Sequence, residues 1–590
     1  MNKPDNLKMH TVDLAAEKFT KIAELFPNAI TETIDENGVV VRAVDPDILQ
    51  HEINTHVLSG KEERYQFTWP DKHKSILLVN APIAAALRPC REESVNFNTT
   101  ENLYIEGDNL DVLKLLRETY LNRAKMIYID PPYNTGNDFL YEDNFTQNES
   151  GFFIRDGQYN DEGNRMARNL DSNGRFHTDW LNMIYPRLRI VRDLLNEEGV
   201  IFISIGDNEI NNLRKICDEI FGYENFVSCI IWEKRYSPQN AVQWFSEAHD
   251  YILIYAKFKN NWQPNLLNRS DEMNARYRNL DNDPRGDWKP ENASAQAGHG
   301  TPSQFYELVS PNGKIYQPPN GRCWVYTKIK MQEMIEDNRI WFGSDGNSAP
   351  AIKRFLSEVK QGVACQTIWK YDDVGHNQEG KKEIKSIFPE AVPFETPKPT
   401  RLIKRMLQLC TNCNDNDIIL DFFSGSATTA HAVMQLNAED SGNRKFIMVQ
   451  IPEVCDENSE AYKAGYKNIC EIGKERIRRA GRKIIEESPL TRADLDIGFR
   501  VLKLDSSNMK DVYYTPEEHA QMGFDLDGFT DNIKPDRTEE DLLFQVMLEL
   551  GVPLSAKISH ESGVWNVSNG YLIALTRTPF RGQFKRPVAH

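Results

Sequence analysis

At 590 residues and 40% apolar content, the chain is too long for a single core, which predicts three or four domains. Its nine cysteines form no framework, no run of 18 apolar residues occurs and Met1–Thr11 is polar; together these argue against a disulfide scaffold or a membrane protein and set the expectation of a cytoplasmic one. The formal charge of −17 counts against a uniformly basic nucleic-acid binder, yet residues 227–395 balance 21 basic against 21 acidic residues and hold seven of the ten tryptophans.

In chain order, residues 1–95 combine a helical opening, Val12–Phe26, with polar, turn-rich sequence suited to assembly or DNA contact. Arg88 and Arg91, in L-R-P-C-R-E-E-S, are candidates for phosphate, although surface arginines more often serve elsewhere. Residues 96–232 alternate strand and helix. Leu103–Ile105 reads as a strand ending at Gly107-Asp108, followed by an amphipathic helix from Leu110 to Tyr120. Asp108 can accept from a nucleoside cofactor at a sheet edge or cap that helix; the two roles are compatible.

The next strand, Met126–Ile129, ends abruptly in K-M-I-Y-I-D-P-P-Y-N-T-G. Neither Pro131 nor Pro132 can donate a ladder hydrogen bond, so the Asp130 carboxylate is left at the carboxyl edge, where open α/β sheets bind ligands. An exocyclic amine such as adenine's is a poor nucleophile because its lone pair is delocalised. Asp130 and the Pro131 carbonyl would grip its two N–H bonds, and Tyr133 offers a face for an extruded base. The bland alternative is a proline turn with a solvated aspartate.

Residues 134–178 read as a long substrate-facing loop. A helix from His177 to about Asn196, a strand at Val200–Ser204 with an acidic Gly206-Asp207-Asn208-Glu209 end, a helix to Phe221 and a strand at Phe226–Trp232 complete a doubly wound, mostly parallel Rossmann-like sheet. The alternation fails in residues 233–393, rich in Asn, Pro, Gly and aromatics. That stretch is read as an inserted target-recognition domain, against the simpler possibility of an aromatic-cored module. Neither His376 nor the Cys410/Cys413 pair has partners at metal-ligand spacing, so no metal site is expected.

The alternation resumes in residues 394–490. D-F-F-S-G-S-A-T-T-A-H-A, Asp421–Ala432, reads as a strand end, a tight turn of small residues and a helix from Thr428, an arrangement that lets a cofactor approach the backbone at the helix's positive end. It follows Thr396 and Lys398-Pro399 and precedes a strand at Phe446–Gln450; no Walker lysine accompanies it. Lys474–Lys483 is the most basic stretch, either a phosphate-contacting helix or, more commonly for such runs, a solvated face. Residues 491–590 read as a small α+β assembly domain with a helix at Leu542–Leu550 and alternating segments near Gly563–Thr576.

These motifs resemble those of the modification (Mod) subunits of type III restriction-modification systems. They are L-R-P-C-R-E-E-S, E-N-L-Y-I-E-G-D-N-L, I-Y-I-D-P-P-Y-N-T-G, T-D-W-L-N-M-I-Y-P-R-L, V-G-H-N-Q-E-G-K-K-E, T-P-K-P-T-R-L-I-K-R, D-F-F-S-G-S-A-T-T-A-H-A-V and G-F-R-V-L-K-L-D-S-S-N. Their order is that of the β class of amino methyltransferases, a circular permutation with the catalytic motif first and the cofactor motif last. The resemblance implies S-adenosyl-L-methionine held by Asp108, Lys398, Pro399, Asp421, Phe423, Gly425, Ser426 and Thr428. It implies an adenine flipped from double-stranded DNA onto Asp130, Pro131, Pro132 and Tyr133, with methyl transfer to N6 and no metal. It further implies a homodimer able to bind a helicase-nuclease (Res) subunit. Two positions depart from the family pattern: Ala427 stands where a second glycine is usual, and Gln450 where a ribose-binding acid is common. The competing readings are cytosine-N4 methylation, which more often carries serine at the place of Asp130, and a catalytically silent specificity subunit.

Overall fold

The computed structural model describes residues 14–26, 29–34, 40–44, 46, 49, 67–136, 175–240, 242–487, 495–510, 533–561, 564–568 and 571–574. The loop expected to face substrate falls almost wholly outside these residues.

Ten strands form one sheet: β1 (Ala85–Val95), β2 (Leu103–Glu106), β3 (Ala124–Ile129), β4 (Leu195–Ile205), β5 (Phe226–Glu233), β6 (His249–Ala256), β7 (Ile368–Trp369), β8 (Ile418–Asp421), β9 (Lys445–Gln450) and β10 (Phe499–Ser506). Their spatial order is β7-β5-β6-β4-β3-β8-β9-β2-β10-β1. All point the same way except β6 and the edge strand β1. Every residue of β2 and β3 is buried, as expected of a sheet covered on both faces. Strand β8 pairs with β3 on one side and β9 on the other, with Leu420 opposite Ile127. The permuted order is thereby visible in the sheet: the strand ending in Asp130 and the strand ending in Asp421 are neighbours with a common carboxyl edge.

The described chain divides into two compact units, residues 1–263 with 366–590, and residues 264–365. The insert is therefore narrower than the 233–393 expected, because β6 and β7 belong to the large sheet. Strand β6 enters through a loop and runs antiparallel, so no strand-helix alternation announces it. Within the insert, Ala293, Leu308, Trp324, Met331, Ile340, Phe342 and Ile352 pack into a core of their own. Trp288 meets Trp341 edge-on at 5.2 Å, over a fully buried Lys353 paired with Asp281 and Asp283. Trp232, Trp262, Trp288, Trp324 and Trp369 are all buried. The tryptophan density of 227–395 therefore mostly reflects packing rather than a base-reading surface.

Segments before and after the strand-helix repeat also enter the sheet, as β1 and β10. Arg88 of β1 pairs with Asp505 of β10 at 2.9 Å and with Asp541 of the helix Glu539–Glu549 at 3.1 Å, while Arg91 grips Glu540 at 2.6 Å. These arginines join the N-terminal strand to the C-terminal helix instead of facing phosphate. The basic stretch is likewise turned inward. In the helix Ile469–Glu487, Lys474 is bonded to both Glu93 and Glu106, and Arg476 is fully buried.

Candidate active site

Strand β3 stops at Asp130 because the chain turns through the two prolines, and the turn is held from behind. The Trp180 indole N–H donates to the Pro132 carbonyl at 2.7 Å. Asn134, in the left-handed region at φ 58°, donates to Glu209 at 2.6 Å, and the Asn208 amide donates to the Asn134 carbonyl at 2.7 Å. The T-D-W helix and the acidic end of β4 are thus the supports of the D-P-P-Y turn. Gly206 keeps room for the aromatic face: a Cβ there would sit 3.1 Å from Tyr133 Cδ2. Burial, and after it the Asp130 charge, push the Tyr133 phenol far above its ordinary range. Among the described residues, Asp130 Oδ1 and the Tyr133 hydroxyl are buried without a hydrogen-bond partner. Such orphaned atoms are costly unless a ligand completes them.

The second wall is the Asp421–Ala427 turn. Asp421 accepts from the Phe423 N–H at 3.1 Å and the Thr429 hydroxyl at 2.5 Å. Gly425, at φ 49°, donates its N–H to Gln450 Oε1 at 2.7 Å. The departure at Gln450 therefore has a structural role, fixing the turn from β9. Ala427 adopts φ 60° at the start of the helix Thr428–Asp440, a conformation in which a usual glycine would be unstrained and alanine costs about 1 kcal/mol.

Burial pushes the Asp421 carboxyl up to about 7, with the Asp130 charge adding to the effect against the Thr429 and Phe423 bonds. A folded-state value above the ordinary 3.8 means that folding favours the protonated form. The contribution is full below about pH 4 and is lost as pH rises through about 7, at about 1.4 kcal/mol per pH unit. Asp421→Asn removes this titration. The stability of the wild type relative to the variant should fall by about 2 to 3 kcal/mol between pH 5 and pH 8, measured by denaturant midpoints; a pH-independent difference would refute the assignment.

Other expected cofactor residues are engaged by the scaffold. Ser426 and Thr428 hydroxyls accept from Arg476 at 2.8 and 2.6 Å. Asp108 caps the helix Asn109–Tyr120 through the N–H groups of Leu110 and Asp111, and its second oxygen meets the buried Arg187 at 3.2 Å. The neighbouring Asn109 amide donates to the Phe422 carbonyl at 2.9 Å, tying the two motifs together. Lys398 stands at the other wall: its ammonium lies 2.5 Å from Asp130 Oδ2, 5.1 Å from the Tyr133 ring centre and 5.9 Å from that of Trp232.

V-G-H-N-Q-E-G-K-K-E, a motif without an evident role in the sequence, holds the segment carrying Lys398. A Cβ on Gly380 would fall 2.2 Å from the Pro397 carbonyl oxygen. Glu379 takes Arg401 through two 2.6 Å bonds, and Glu383 accepts from the Thr400 N–H and hydroxyl at 3.0 Å each. The clue was a glycine inside a helical pattern. His376 packs between Tyr236 and Tyr371, at 5.3 and 5.8 Å. No group of three or more His, Cys, Asp or Glu among the described residues is placed to hold a metal ion.

A family described as DNA methylase matches residues 124–468. Over 450 residues the chain is 37% identical to the Mod subunit of the type III restriction-modification enzyme StyLTI from Salmonella typhimurium, covering 74% of this chain and 67% of that protein. The chain belongs to the type III Mod family. Two further Mod subunits extend the match: that of EcoP15I from Escherichia coli, 31% identical over 83% of this chain and 80% of its own, and that of EcoPI from Escherichia phage P1, 32% identical over 80% and 75%. This Mod protein is a DNA methyltransferase, and its D-P-P-Y and D-F-F-S-G-S motifs meet at one edge of one sheet.

Proposed function

We propose that this Mod protein methylates N6 of an adenine rotated out of duplex DNA, using S-adenosyl-L-methionine. The observation that carries the reading is the pair of neighbouring strands β3 and β8. One ends in a carboxylate with an unpartnered oxygen beside an aromatic face, the other in a small-residue turn at a helix start. The residues fit the cofactor: Gly425 brings bare backbone to the surface of the turn, where a Cβ would meet only the Phe394 ring, at 3.3 Å. The Asp421-Phe423-Gly425 turn would hold it, with Asp108, Pro399, Ser426 and Thr428 shaping the pocket from behind. When bound, it supplies a methyl group on a sulfonium, already a good leaving group. The protein's work is then positioning and electrostatics. Asp130 and the Pro131 carbonyl accept from the adenine amine and localise its lone pair, while Tyr133 stacks on the ring and Pro132, fixed by Trp180, keeps the turn rigid.

Duplex DNA approaches the same edge. The loop after β5 carries Trp244 and Phe245, 81% and 93% exposed, and its two ends are drawn together by Lys234 bonds to Glu247 and Asp250 at 2.5 and 2.6 Å. Exposed aromatics at a catalytic edge suit stacking on bases, worth about 1–3 kcal/mol each. The double variant Trp244→Ala, Phe245→Ala should bind target duplex at least tenfold more weakly in a filter or anisotropy assay, with cofactor affinity unchanged; unaltered duplex affinity would remove the loop from the interface. Assembly as a homodimer, and with a helicase-nuclease subunit, is part of the proposal by kinship to the type III enzymes. The deciding experiment incubates purified protein with labelled cofactor and plasmid and identifies the product. N6-methyladenine is expected; N4-methylcytosine, or no modified base, overturns the reading.

A further inference from the structure

Lys398 stands where the substrate amine has to go. Its ammonium is a hydrogen-bond donor 2.5 Å from Asp130 Oδ2 and lies within cation–π range of the Tyr133 face. It offers the carboxylate the N–H that the amine of a flipped adenine would. The side chain is only 11% exposed, so it is not reaching for phosphate. Its backbone is fixed by Gly380, Glu379 and Glu383, as described above, so any exchange is a swing of the side chain. A second harbour is at hand: the buried Asp250 carboxylate, already held by Lys234, is close enough to feel the Lys398 charge.

We propose that Lys398 is an internal occupant of the target-amine pocket, which a flipped adenine must displace before its amine reaches Asp130. This rests on the reading of Asp130 as the amine acceptor. Lys398 keeps a partly buried carboxylate paired while the pocket is free of DNA, where an unpaired buried charge would be costly. On base entry the ammonium swings toward Asp250 and the Trp232 ring. Lys398 is a positioning residue, and it makes base capture a competition. The apparent affinity for the amine is reduced by the fraction of time the pocket is open.

The test compares two duplexes identical except at the methylated position, once that position is mapped: adenine in one, purine without the 6-amino group in the other. Their affinity ratio for the full-length protein, in S-adenosylhomocysteine, reads the amine contact when compared between variants, because the unequal pairing strength of the two bases is common to all of them. In Lys398→Met, whose unbranched side chain preserves the packing, the adenine-to-purine ratio should rise about tenfold over wild type, the outcome for a pocket held by lysine about nine-tenths of the time. Lys398→Arg, which retains a donor cation, should keep the ratio near the wild-type value. A structural role alone would weaken both duplexes together and leave the ratio where it was. An unchanged or lower ratio in Lys398→Met overturns the proposal. Asp130→Ala in the same assay should lower the ratio severalfold, toward the value the Pro131 carbonyl alone supports; a ratio unchanged from wild type means that the reading of Asp130 fails, whatever Lys398 does.

Discussion

Asp130→Ala should lower kcat for methyl transfer by about 10³-fold or more while cofactor and duplex still bind. The carboxylate matters most as positive charge builds on the attacking nitrogen, and removing one such preorganised group typically costs 10²–10³-fold. The fold should survive, because Asp130 lies past the end of a fully buried strand and its side chain is 27% exposed. The Lys398 ammonium left behind still has the Tyr133 and Trp232 rings. Single-turnover transfer of labelled methyl into plasmid, beside thermal unfolding, separates chemistry from stability. Activity within tenfold of wild type would mean that another group accepts from the amine.

The second large effect is expected far from the chemistry. Gly380→Ala should improve the intrinsic helix tendency of Asn377–Ile387 by about 1 kcal/mol, yet lower kcat/KM by about 100-fold. The added Cβ would stand 2.2 Å from the Pro397 carbonyl oxygen. Backbone cannot yield as a flexible side chain can, so the segment carrying Lys398 and Pro399 must move by close to an ångström. A displacement of that size in a positioning element is enough for a loss of this order. Gly380→Ser should behave alike, and a variant with kcat/KM within threefold of wild type would show that the segment's placement is not critical.

What could be read in the sequence followed from burial. Met126–Ile129 and Ile418–Leu420 are apolar runs that stop at acids, so both Asp130 and Asp421 stand out as strand ends at a ligand-binding edge. The antiparallel β6 was missed as part of this sheet because the rule that identifies parallel strands, a helix between each pair, does not apply to it. Charge misled where partners are distant. Arg88, Arg91, Lys474 and Arg476 look like phosphate ligands or solvated cations, but their acids and hydroxyls lie up to 453 residues away in the chain. Lys398 was placed at the site for its motif; that it pairs with Asp130, 268 residues away, no local pattern discloses. Ala427 and Gln450, departures by comparison, become intelligible only as a strained turn position and a side-chain brace.

The adjacency of β3 and β8 also constrains how the protein is made. Strand β3 leaves the ribosome about 290 residues before β8, the strand that must lie against it, so during synthesis one flank of the catalytic strand waits with its peptide groups unpaired. Pairings of such long sequence separation are slow to form. Early chain termination within the insert should therefore yield an aggregation-prone fragment rather than a half-active enzyme, and the methyl-donor pocket comes into being only when translation has passed the cofactor turn.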